Sequence, residues 1–174
     1  TLASSGWAWG CAALDADNDG LVDIHVVNGL ESRDTVRDYE GEYWLHDLHV
    51  ADSAENPTAY LYFMTKFNRT RGRGQSYGGY DKNRFYLNRG DSGFLELGHL
   101  FGLALEADSR NVAAEDVDGD GRPDLVVTSY ESWPHSRQVL RVYRNSLPHP
   151  GHWIGFRFPS SPRTLPPAGV RVEI

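Results

Sequence analysis

Nine residues, Asp15-Ala16-Asp17-Asn18-Asp19-Gly20-Leu21-Val22-Asp23, recur as Asp116-Val117-Asp118-Gly119-Asp120-Gly121-Arg122-Pro123-Asp124. Each copy places aspartate at positions 1, 3, 5 and 9 and glycine at position 6. Four carboxylates in one short turn repel one another unless positive charge sits among them. A hard dication accepts oxygen ligands from such a cluster, and Ca²⁺ tolerates flexible, high coordination better than Mg²⁺. Glycine at position 6 permits the sharp turn that aims the preceding side chains at one point. The pattern therefore predicts two Ca²⁺ sites. The first takes Asp15, Asp17, Asp19 and Asp23 with the Leu21 carbonyl. The second takes Asp116, Asp118, Asp120 and Asp124 with the Arg122 carbonyl. The competing reading is a solvated Asp/Gly turn with no metal, which two matched copies make harder to sustain than one. Since the protein supplies the ligands, the ion is expected to be structural.

The loops are not EF-hands, which need a bidentate Glu at position 12 and flanking helices. Position 12 is Val26 or Val127, and the following residues, Ile24-His25-Val26-Val27 and Leu125-Val126-Val127, read as strands. Short extended runs of small residues precede the loops: Cys11-Ala12-Ala13-Leu14 and Val112-Ala113-Ala114-Glu115. Each loop is thus expected at the tip of a β-hairpin.

Five Trp, nine Tyr and 18 Gly favour β structure rich in turns over a helical bundle. The net charge of −7 is local: setting aside the eight loop aspartates leaves −7 + 8 = +1, and two Ca²⁺ would bring −7 to −3. A single cysteine, Cys11, excludes an internal disulfide and is expected to be buried in its strand. No run approaches the ~18 apolar residues of a membrane-spanning helix. The chain begins at Thr1 without Met, as a processed form or a piece of something longer would.

The repeat extends beyond the loops. Arg84-Phe85-Tyr86-Leu87-Asn88 matches Arg141-Val142-Tyr143-Arg144-Asn145 at an offset of 57, whereas the loops are offset by 101. The difference, 101 − 57 = 44, is extra chain inside the first unit. A period near 57 with several short strands suggests propeller blades or a related array. The expected organisation is an all-β partial β-propeller. Residues 1–30 and 81–98 form a first blade, 31–80 an irregular insertion, 99–150 a second blade, and 151–174 the start of a C-terminal β unit. Trp7 and Trp9 are expected to cover the core between blades. Trp153 to Phe158 and Val170 to Ile174 read as strands.

Within the insertion, residues 43–49 suggest one or two helical turns, and Tyr60-Leu61-Tyr62-Phe63-Met64 an apolar run that docks on the body. His46 and His49 alone make a weak metal site. Residues 66–89 hold seven basic residues against Asp81 alone, among them Lys66, Arg69, Arg71 and Arg73. That segment is either a solvated loop or a docking surface for an acidic protein face, an anionic glycan or lipid headgroups. The rest of the chain offers no basic face for nucleic acid. Asn68-Arg69-Thr70 matches a glycosylation sequon by pattern.

These residues resemble the FG-GAP/VCBS repeat family, and within it the ASPIC/UnbV subgroup related to cartilage acidic protein. The carriers are Gly6-Trp7-Ala8-Trp9-Gly10 before the first loop, Phe85-Tyr86-Leu87-Asn88-Arg89-Gly90 with Gly93-Phe94, the second loop, and Tyr143-Arg144-Asn145 leading to His152-Trp153-Ile154-Gly155. The resemblance implies a propeller with calcium in its hairpins, extracytoplasmic (periplasmic or secreted), serving as a non-catalytic scaffold. Such an accessory subunit would dock on a larger protein or membrane-bound assembly. Two blades fall short of a closed ring, so exposed sheet edges call for a partner. Two alternatives stand beside it. One is a propeller-based lyase or hydrolase using Glu42, Tyr43, His46 and His49. The other is a glycan-binding module using Trp44, Tyr60, Tyr62 and Tyr77.

Overall fold

The computed structural model describes residues 5–38, 56–70, 74–148 and 151–156. In chain order its elements are β1 (Ala8–Leu14), β2 (Asp23–Asn28), β3 (Thr35–Asp38), α1 (Pro57–Thr70), β4 (Gln75–Ser76), β5 (Arg84–Asn88), β6 (Phe94–Glu96), β7 (Ser109–Glu115), β8 (Asp124–Glu131) and β9 (Arg137–Tyr143). One sheet has the order β1-β2-β5-β6, a second β7-β8-β9, and β3 pairs with β4 in a small third sheet. Both larger sheets are antiparallel meanders, and the fold is predominantly β.

The two meanders repeat one design residue by residue. Ala8 faces Asn28 and Leu14 faces Asp23; 101 residues later Ser109 faces Ser129 and Glu115 faces Asp124. Each hairpin carries its register shift at the same place, between Ala8 and Gly10 and between Ser109 and Asn111. The third strands also agree: Ile24 faces Tyr86 and His25 faces Phe85, as Leu125 faces Tyr143 and Val126 faces Val142. The sequence offsets of 101 and 57 are therefore offsets of strand register.

The sheets pack face to face, and equivalent positions lie on opposite sides of the join. Ala12, Leu14, Phe85 and Leu87 of the first sheet share a core with Leu125 of the second, flanked by Val112, Ala114 and Tyr143. The second-sheet equivalents of Ala12, Phe85 and Leu87 are Ala113, Val142 and Arg144, all exposed. Conversely, Leu125, Val112 and Ala114 correspond to Ile24, Cys11 and Ala13 on the outer face of the first sheet. The contact is head-to-tail, of the kind that propagates along an array instead of closing into a two-fold pair. Burying these β-branched, aromatic and leucine side chains supplies the main drive for association, at about 25 cal/mol per Å² of apolar surface.

The meanders are also stitched at the end remote from the acidic loops. Arg110 donates to the carbonyls of Gly29 and Leu30, each at 2.5 Å, and its guanidinium lies 5.0 Å from the Trp9 ring centroid. Gly29, at φ +103°, sits so close to the second unit that a Cβ there would meet Asp108 Cα at 3.0 Å. The Asp108 carboxylate accepts from the Ser32 N–H and hydroxyl at 2.8 and 2.7 Å. Just before β5, Asn83 Oδ1 accepts the Asn28 N–H at 2.9 Å while its amide donates to Ser109 Oγ at 3.1 Å.

Several expectations need correction. Trp7 and Trp9 do not cover the inter-sheet core. Trp7 precedes β1 and packs on Tyr77, ring centroids 5.1 Å apart, and half-exposed Trp9 carries Arg110. Trp9 falls in the register shift between Ala8 and Gly10, outside the regular alternation of β1. Cys11 is exposed, because among the described residues no second layer covers the outer face of β1. The insertion is not wholly irregular. Asn56 and Pro57 start α1: the Asn56 side-chain oxygen accepts the Ala59 N–H at 3.1 Å, and proline suits the first helical position. The apolar run at 60–64 falls within this helix, where Leu61 and Tyr62 face solvent. Residues 43–49 lie outside the described residues. Residues 151–156 form no strand; those beyond are outside the description. Among the described residues no helix is long and apolar enough to cross a membrane.

Candidate metal centre

Both acidic loops sit at hairpin tips, linking β1 to β2 and β7 to β8, and share three hydrogen bonds. In the first, the Asp15 carboxylate accepts the N–H groups of Asp19 at 3.0 Å and Gly20 at 2.9 Å, and Asp19 accepts that of Leu21 at 2.8 Å. In the second, Asp116 accepts from Gly119 at 2.8 Å, Asp120 at 3.0 Å and Gly121 at 2.8 Å, and Asp120 accepts from Arg122 at 3.1 Å. Positions 4 and 6 are both left-handed: Asn18 at φ 55° and Gly20 at 86°, Gly119 at 76° and Gly121 at 83°. Asparagine and glycine are the residues that tolerate this conformation.

The ninth aspartate is a bracket. Asp23 is 1% exposed and accepts the Ala16 N–H at 2.9 Å and the Asn88 N–H at 2.8 Å, one on each oxygen. Asn88 returns a side-chain bond to the Val22 carbonyl at 3.0 Å. Asp124, 2% exposed, does the same for Val117 at 3.1 Å and Asn145 at 2.8 Å, and Asn145 donates to the Pro123 carbonyl at 3.2 Å. Burial pushes the Asp23 carboxyl above its ordinary value, although both N–H groups oppose the shift.

The two loops lie side by side. Asn18 donates to the Gly121 carbonyl at 3.2 Å, and Asn145 to the Ala16 carbonyl at 2.7 Å. The segment after β9 crosses both: the Gly151 N–H donates to the Asp17 carbonyl at 2.6 Å, and the Trp153 indole lies directly on Gly121.

The oxygens available to a cation differ between the copies. In the first, Asp15, Asp17 and Asp19 converge, with ligand oxygens all within 4.8 Å of one another. Asp17 Oδ1 is buried and has no hydrogen-bond partner. Burial and the neighbouring Asp19 and Asp15 charges raise the Asp17 carboxyl. An orphaned, crowded carboxylate oxygen of this kind fits a divalent cation, which would accept it and relieve the repulsion. In the second copy Asp116, Asp118 and Asp124 converge, and Asp120 does not join them. The Arg122 guanidinium holds Asp120 and pulls its carboxyl below the ordinary value. Arg144 reaches Asp118 at 2.6 Å and Asp120 at 3.3 Å. In both loops position 7 enters through its N–H, and in the second also through the Arg122 side chain.

The remaining candidates are not gathered with the loops. Lys66 and Arg69 are exposed on α1, and Arg71 and Arg73 lie outside the described residues. Tyr60 and Tyr62 are exposed on the same helix, whereas Tyr77 packs on Trp7. Glu42, Tyr43, Trp44, His46 and His49 lie outside the description. Sequence reasoning missed the bracketing role of Asn88 and Asn145, although their matched place at the ends of equivalent strands was the available signal.

A family described as FG-GAP-like repeat matches residues 74–127, about a third of the chain. The matched stretch runs from β4 through β5, β6, β7 and the second acidic loop into β8. No match to the chain is found among curated proteins or among solved structures. The match extends to the repeat and not to the ASPIC/UnbV subgroup, so the family finding is this: an FG-GAP-like repeat is present at residues 74–127.

Proposed function

We propose that this chain is a calcium-stabilised, non-catalytic interaction scaffold: two consecutive propeller-type blades, exported from the cytosol, that hold a rigid surface against a protein partner. The carrying observation is the head-to-tail packing of the two meanders. It leaves Ile24 and Val26 on one outer face, and Val126, Leu140 and Val142 on the other, with Leu140 and Val142 more than half exposed. Apolar sheet faces and the edge of β9, which no other described strand pairs, are costly to leave in water, and a partner or further blades would cover them. The FG-GAP-like repeat supports this reading, as does the first acidic tip, whose crowded carboxylates a cation would lock. The ASPIC/UnbV affiliation, the extracytoplasmic location and calcium as the ion belong to this proposal.

Gentle purification from the source, with cross-linking and mass spectrometry, tests it. The reading expects the chain in a stable complex larger than itself that loosens on chelation. A chain recovered alone, monomeric with and without Ca²⁺, contradicts it. Alanine at Lys66, Arg69, Arg71 and Arg73 tests the basic segment separately: unchanged partner binding removes that segment from the contact surface.

A further inference from the structure

The loops occupy equivalent places but have different neighbours. Position 7 is Leu21 in the first and Arg122 in the second. The residue before the bracketing asparagine is Leu87 in the first and Arg144 in the second. Leu87 is buried in the inter-sheet core at 8% exposure. The head-to-tail packing turns the same position of the second sheet outward, so Arg144 is free to bend back over its own loop. There its Nε lies 2.6 Å from Asp118 Oδ2 and its Nη2 3.3 Å from Asp120 Oδ2. Arg122 Nε donates to Asp120 Oδ2 at 3.1 Å, and Arg122 Nη2 bonds the same oxygen. Two guanidinium charges thus sit on two of the four carboxylates. Among the described residues no basic side chain pairs with the first loop's aspartates, and Asp17 Oδ1 has no hydrogen-bond partner.

Resting on the calcium reading above, we infer that the second loop neutralises itself and that the chain takes up one Ca²⁺ tightly, at Asp15, Asp17 and Asp19. Arg122 and Arg144 stand where a second ion would otherwise be needed. A cation entering the second loop must displace both guanidinium groups or share the site with two positive charges. Affinity in such loops follows the charge of the ligand set, so cancelling two of four carboxylates weakens binding by roughly a hundred-fold. The second turn keeps its shape through Asp116, Asp124 and the two arginines without an ion.

Native mass spectrometry and calorimetric titration of the full chain with CaCl₂ test this. Wild type is expected to take one ion tightly and a second only at about a hundred-fold higher concentration. The variant R122L/R144L, which gives the second loop the leucines of the first, is expected to take two ions with similar affinity. R122Q/R144Q is a second version that keeps the surface polar. Circular dichroism establishes that each variant is folded. Two equally tight ions in wild type, or one ion in both folded double variants, overturns the inference and leaves the calcium reading standing. Asp17→Asn should abolish the tight ion. A wild type that binds no Ca²⁺ at millimolar concentration overturns both.

Discussion

Asp23 and Asn88 clasp each other across 65 residues: the Asn88 N–H reaches Asp23 Oδ1 at 2.8 Å, and the Asn88 amide returns to the neighbouring Val22 carbonyl at 3.0 Å. Asp124 and Asn145 repeat the clasp in the second unit. The ninth loop residue therefore ties the acidic turn to the third strand of its own meander, a task separate from holding a cation. Asp23→Ala removes acceptors from two N–H groups, and a buried unsatisfied donor costs about 1–3 kcal/mol. Urea unfolding in EDTA should show a loss of roughly 2–5 kcal/mol for Asp23→Ala and for Asp124→Ala. Asp17→Ala in the same buffer should be neutral or stabilising, because it removes a repelling carboxylate with an unpartnered oxygen.

Arg110 is the cross-brace between the units. Arg110→Ala strands the Gly29 and Leu30 carbonyls and frees the Trp9 ring. Hydrogen bonds to charged groups contribute about 1.5–3 kcal/mol, so equilibrium unfolding should show a loss of roughly 2–4 kcal/mol. Arg110→Lys should recover only part of it, since a single ammonium does not reproduce the two-pronged grip.

His25 makes the fold sensitive to acid. Burial in β2 beside Phe85 lowers its pKa from 6.5 to about 4. A group depressed in this way contributes stability above the unfolded value of 6.5, and that stability is lost as pH falls through the folded value of about 4. The full difference is roughly 3 kcal/mol. His25→Leu should remove most of it, which appears as a flatter stability profile than wild type between pH 7 and 4. Asp17 and Asp23 titrate with the opposite sign, being raised, so the difference between the two proteins isolates the imidazole.

The repeat was legible because its signals are local. The Asp and Gly spacing marked both hairpin tips, and the β-branched runs after them became β2 and β8. The offset between Asn88 and Asn145 marked the third strands. Helix α1 was missed in favour of its apolar content, although Asn56-Pro57 carried a start signal. What the sequence could not display was which sheet face meets which. Equivalent residues such as Phe85 and Val142 have similar chemistry but opposite fates, and only head-to-tail packing separates them. The same turn of the sheet sends Arg144 onto its own loop, so a repeat that looks like two equal sites contains two different ones.

A divalent ion in the first loop is expected to stabilise the platform. Melting temperature in EDTA and then in excess CaCl₂ tests it most directly, for wild type and for Asp17→Asn. At a hundred-fold excess over the dissociation constant, binding contributes about 2.7 kcal/mol. For a chain of this size that raises the wild-type midpoint by roughly 5–10 °C. The account predicts that rise in wild type and its absence in Asp17→Asn. Identical wild-type midpoints in EDTA and in millimolar CaCl₂ would contradict it.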